Sequence, residues 1–161
     1  MKKICLFFVL LTLIASCDSS SEISKTLDCK KITFTNLETV EDVHKKFSVQ
    51  LPDHWNTNLY YDSNQSSMFT ADTTKQLTET YLVDITQIST KLILDTPFFV
   101  DYKNQLTQDK LVETTSFETP FLKKRGYYSR ALGKKNGYSY QIINLFISVN
   151  KESHLHAKAE V

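Results

Sequence analysis

His154 and His156 are the side chains whose types and spacing most directly suggest chemistry. Residues two apart on a strand point to the same face. Two imidazoles placed side by side can hold zinc once a third ligand joins them. Glu160 falls on the same face, farther along. A metal-binding protein or metal-dependent enzyme using His154 and His156 is therefore one expectation. The other is that the pair forms the polar side of a solvated strand beside Lys158, because two ligands without a third fix no metal. We adopt the second reading and assign no metal, cofactor or catalytic residue; the chain is expected not to be an enzyme. Asp53-His54-Trp55 sets an acid beside a base, but adjacent residues rarely face each other and no nucleophile follows at a useful spacing. Trp55 is expected to plug the core after Pro52. His44 is isolated.

A second group could bind rather than react. Lys123, Lys124, Arg125, Arg130, Lys134 and Lys135 gather near one predicted hairpin, with Tyr127 and Tyr128 between them. Cations could meet anionic headgroups or an acidic partner, and tyrosines suit binding surfaces. Lys123, Lys124, Arg125, Tyr127 and Tyr128 are the candidate binding residues. A solvated surface is the ordinary role of such a run.

The chain holds three cysteines. Their context separates them. Lys2 and Lys3 precede the apolar run Ile4 to Ile14, and small residues follow at Ala15 and Ser16. That is the layout of a secretory signal peptide, and the run falls short of the about 20 apolar residues that span a bilayer. Ile14-Ala15-Ser16-Cys17 resembles the bacterial lipobox. The resemblance implies that Cys17 is lipidated on its sulfur, becomes the new N-terminus, and carries two or three acyl chains. Each buried CH₂ contributes about 0.8 kcal/mol, so more than one chain anchors firmly. Residues 1–16 are the expected signal peptide and 17–31 the lipidated tether, too polar to fold alone. Cys5 leaves with the signal, and Cys29 is an incidental thiol on the tether.

The elements that must position these groups occupy residues 32–161, roughly 130 residues and one domain's worth. The formal net charge is +1, far from the basic face that nucleic acid requires. Only three glycines are present and none forms a phosphate-cradling motif. The dominant period is two. Phe47 to Leu51, Ser66 to Asp72 and Tyr81 to Ile88 alternate as half-buried strands do. Thr96 and Pro97 open a helix in which Phe98, Phe99, Tyr102 and Leu106 recur at three and four. Leu37, Val40 and Val43 at spacing three predict a short helix over 37–46. Tyr127 to Leu132 and Tyr138 to Val149 form a hairpin around Gly133 to Gly137, with Asn136-Gly137 supplying positive φ. Ile142 to Val149 is apolar on both faces, so a central strand is expected there. Ser153 to Val161 alternates strictly, with Leu155, Ala157, Ala159 and Val161 inward and His154, His156, Lys158 and Glu160 outward. The pattern stops on an inward residue, which leads us to expect a missing C-terminal element such as a helix.

Phe47-Ser48-Val49-Gln50-Leu51-Pro52, leading to Trp55, resembles the opening strand of PsbP-like domains, which include small DcrB-like bacterial envelope proteins. The order hairpin, amphipathic helix, meander over 47–161 resembles them too. The resemblance implies an antiparallel sheet flanked by helices, an α/β/α sandwich, and a mostly non-enzymatic binding or assembly role. The fold class expected is thus α+β. The expected protein is a lipid-anchored bacterial envelope lipoprotein, on the outer membrane facing the periplasm, with an envelope protein partner and no nucleic acid.

Overall fold

The computed structural model describes residues 22–27, 33–76 and 78–161. The signal peptide, Cys17, Cys29 and most of the tether lie outside the described residues. The chain divides into two compact units, 1–30 and 31–161. In the first, one helical turn, α1 (Glu22–Thr26), falls within the segment read as tether. Among the described residues no helix is long and apolar enough to cross a membrane.

The second unit is built mostly of strands. β1 (Leu37–Glu41) and β2 (Ser48–Pro52) make a two-stranded antiparallel sheet. β3 (Asn56–Tyr61), β4 (Gln65–Ala71) and β5 (Leu82–Ile88) run as a meander. Helix α2 (Thr96–Gln108) follows, then β6 (Val112–Phe121), β7 (Lys124–Lys135), β8 (Tyr138–Ser148) and β9 (His154–Glu160). The seven-stranded sheet has the order β3-β4-β5-β9-β8-β7-β6, with every neighbouring pair antiparallel. Four antiparallel steps separate β5 from β6, so these two run parallel. Parallel strands need a crossover, and α2 supplies it. The meander β6 to β9 then returns toward β5 and fills the gap beneath the helix.

Local chemistry explains the joints. Asp95 is the N-cap of α2, its carboxylate accepting from the Phe98 amide at 3.1 Å. Thr96, expected as the cap, is the first helical residue, and Pro97 follows it within the first turn. At the other end Leu111 N–H donates to Leu106 O and Lys110 N–H to Thr107 O, with Lys110 at φ 57°. This pairing closes the last turn as a Schellman motif. Asn136 at φ 52° and Gly137 at φ 85° make the tight β7–β8 turn. Gly133, read as part of that turn, lies inside β7 instead.

The two faces of the large sheet carry different covers. Tyr127, Ala131, Ile142 and Phe146 pack against Leu94, Tyr102, Leu106 and Leu111 on the α2 face. The opposite face buries Ser66, Met68 and Thr70 of β4 completely. There the β1–β2 turn reaches in: Ser66 Oγ donates to Asp42 Oδ2 at 2.7 Å, and Lys46 Nζ to Gln87 Oε1 at 3.2 Å.

The α/β/α sandwich is therefore overturned. One helix covers part of one face, and a β-hairpin, not a second helix, packs on the other. The helix expected over 37–46 is absent as well. Its segment forms β1 and a turn, because the Asp42 carboxylate accepts the amides of His44, Lys46 and Phe47 at 3.1, 2.6 and 2.9 Å. An aspartate that satisfies its own following backbone competes directly with helix. The outward placement of His156 also fails. β9 is an internal strand, between β5 and β8, and its histidine face lies under the α2 layer.

Candidate functional site

Beneath α2, polar side chains from five elements, β9, β8, α2, β7 and β6, meet. The His156 ring stacks on Phe146, 4.2 Å between centroids and 9° from parallel. Its Nε2 lies 2.9 Å from Asn144 Oδ1. An amide oxygen only accepts, so Nε2 carries the proton. Asn144 Nδ2 donates to Tyr102 Oη at 3.0 Å. Ser129 lies beside the Tyr102 hydroxyl. Ser129 Oγ donates to Glu113 Oε1 at 2.8 Å, and Tyr127 Oη donates to the same oxygen at 3.1 Å. Two sets adjoin here: His156 to Asn144 to Tyr102, and Ser129 with Tyr127 to Glu113.

Burial sets the protonation of its members. It raises the Tyr102 phenol above its ordinary value and pushes Tyr127 up to about 12. It pushes His156 down to about 4, with nearby Asp84 opposing and Lys158 and His154 assisting. Phenols and imidazole are therefore neutral at neutral pH. Among the described residues no buried polar side-chain atom lacks a partner. Groups that satisfy one another in this way fasten α2 to the sheet. They present no activated nucleophile.

The two histidines weighed as metal ligands are held by other groups. His154 Nδ1 lies 2.7 Å from Thr90 O, while His156 Nε2 is held by Asn144. Glu160 sits opposite Leu82 and Ile142. Among the described residues no three His, Cys, Asp or Glu side chains come together as a metal site. His54 lies between Asp53 at 3.6 Å and Asp72 at 3.8 Å. The Thr74 hydroxyl, bonded to Asp72 at 2.6 Å, does most to hold that carboxyl below its ordinary range.

The candidate binding residues do not share one surface. Lys123, at φ 62°, and Lys124 stand at the β6–β7 turn. Arg125 is paired with Glu118 through Nη2 at 2.8 Å and Nε at 2.9 Å. Tyr127 and Tyr128 are both buried, on opposite faces: Tyr127 packs under α2, and Tyr128 stacks on Phe117 at 5.0 Å. Lys134 and Lys135 lie at the far end of β7.

The feature that reasoning from sequence missed is an edge. β3 and β6 are the two borders of the large sheet. β6 is defended: Pro120 offers no N–H and the register slips between Glu113 and Thr115, both devices that discourage further pairing. β3 has neither proline nor charge, and its register with β4 is unbroken. Leu59, Tyr60 and Tyr61 on it are 40%, 59% and 65% exposed. The signal available was the pair Tyr60-Tyr61 in NTNLYY, a stretch whose weak alternation hid a strand.

No family model matches this chain, and no curated protein does. Among solved structures, a Pseudomonas aeruginosa protein of unknown function, PA94, is similar over 78% of this chain and 83% of its own length. The identity is 8% and the TM-score 0.42. A likeness of that strength transfers no function.

Proposed function

We propose that this chain is a non-catalytic envelope lipoprotein. It is anchored through Cys17 to the outer membrane, facing the periplasm, and its domain binds a protein partner that adds an extended strand to β3. The anchor rests on the lipobox resemblance at Ile14 to Cys17. The binding role rests on the undefended β3 edge with its three exposed apolar and aromatic side chains. An unpaired row of backbone groups offers affinity to an added strand, and alternate side chains select it. Tyrosines suit this use, since they bury much area at low entropy cost.

The test is in-cell crosslinking of the full-length protein with a photoreactive phenylalanine in place of Tyr60, and Cys17→Ala as the anchoring control. The reading expects one envelope protein captured at Tyr60, lost when Leu59→Pro blocks pairing, and weakened when Cys17→Ala releases the chain. Capture that survives Leu59→Pro, or none at all, sinks strand addition.

A further inference from the structure

At the C-terminal end of α2 lies an open cleft of about 550 Å³. Lys110, Lys134, Lys135 and Lys158 line it, with Tyr140 as a wall and Ile142 at its base. Asp109 and Glu160 also face it, so four cations meet two anions. The ion pairs of this domain among the described residues lie elsewhere, at Lys45, Lys75, Arg125 and His54. Among the described residues no ion pair takes up any of the four ammonium groups around this concavity.

We propose that this cleft binds a phosphate-bearing anionic group, with the glycerol or sugar part of the ligand laid against Tyr140. A phosphate can meet several ammonium groups at once, and lysine binds it as a point charge. The helix end does not undo this. A C-terminus carries about half a negative charge, while the lining keeps two positive charges in excess. Its last carbonyls, moreover, are already occupied by the amides of Asp109, Lys110 and Leu111.

A second observation favours a lipid headgroup as the source. Val112, Leu132 and Tyr138 are 69%, 48% and 66% exposed. Tyr138 pairs with Lys135 on the α2 face, while Val112 and Leu132 pair at this same end of the sheet on the opposite face. Apolar and aromatic side chains beside lysines are the composition of a surface that settles into a headgroup layer. The inference does not depend on the β3 edge, and its test can fail or succeed without it.

The experiment is a lysine-acylation footprint read by mass spectrometry on the full chain in neutral phosphatidylcholine discs. One arm adds phosphatidylglycerol to the discs; the other adds free glycerol 3-phosphate. The proposal expects acylation of Lys110, Lys134, Lys135 and Lys158 to slow several-fold while Lys123 and Lys124, at the other end of β7, are unaffected. Protection in the first arm alone makes the ligand a lipid headgroup; protection in the second makes it a soluble phosphoester. The exposed pair Lys135→Gln and Lys158→Gln should abolish protection of the other two lysines without unfolding the domain. Equal slowing at Lys123 and Lys124, or none in either arm, overturns the proposal.

Discussion

The His156 imidazole lies flat on the Phe146 ring, 4.2 Å between centroids, while its Nε2 reaches Asn144 at 2.9 Å. One edge of the ring is committed to a hydrogen bond and one face to an apolar contact. The hydrogen bond and the stack fix the ring, while burial favours its neutral form, which gives the domain a pH dependence with a definite sign.

Burial holds His156 at about 4 in the folded chain against 6.5 when unfolded. Between those values the unfolded state binds more protons, so stability rises with pH. The contribution is fully present above about pH 6.5 and is lost as pH falls toward 4. Asp84 on β5 and Lys158 and His154 on β9 face the ring and enter with it. The size expected is roughly 3 kcal/mol. Urea melts at pH 7 and pH 4.5 should show this loss in the wild type, and a much flatter response in His156→Gln.

Asn144 joins β8 to both β9 and α2. Asn144→Ala leaves the His156 N–H without an acceptor and the Tyr102 hydroxyl without a donor. A buried orphan of this kind costs about 1–3 kcal/mol. Adding His156→Phe removes the orphan donor, so the double variant should lose less than the sum of the two single losses. Strict additivity in denaturant melts would mean that the two residues are not coupled.

Asp42 organises the β1–β2 turn and ties it to Ser66. Burial raises its pKa, but the bonds from Phe47, Ser66, His44 and Lys46 together outweigh that and hold it below 3.8. Its contribution is therefore present above about pH 4 and lost as pH falls through the depressed value, a window below that of His156. Asp42→Ala should cost about 2–3 kcal/mol by leaving Ser66 and three amides unsatisfied. Hydrogen exchange should place the loosening in β1–β2 first, with α2 retaining its protection.

Lys110 occupies the left-handed position of the Schellman cap, at φ 57°. Glycine adopts that conformation without strain. Lys110→Gly is expected to raise stability by about 1 kcal/mol, read as a higher urea midpoint with an unchanged slope. An unchanged or lowered midpoint would mean that the lysine stem contributes packing at the cap.

Much of the local structure was legible because it depends on near neighbours. Phe47 to Leu51, Ser66 to Asp72 and Tyr81 to Ile88 alternate and form strands. Asn136-Gly137 turns the chain where positive φ is needed. Phe98, Phe99, Tyr102 and Leu106 trace the buried stripe of α2. The failure at 37–46 has a local cause as well: spacing by three was weighed there, while the capacity of the Asp42 carboxylate to close a turn was not.

The candidate site was not legible in the same way. Lys110, Lys135 and Lys158 come from three elements far apart in sequence, and only the register of β7, β8 and β9 below α2 brings them to one cleft. His154 and His156 share a face as their spacing requires, but whether that face meets water depends on which strands flank β9.

The sequence by itself determined the period of β2, β4, β5 and β9, the stripe of α2 and the position of the β7–β8 turn. These follow from steric and hydrogen-bonding preferences acting over a few residues. Tertiary structure alone decided that β9 lies between β5 and β8, that α2 packs on β7 and β8, and that β3 borders the sheet. Those outcomes depend on which surfaces lose water together, a property of the whole packed chain that no single segment carries.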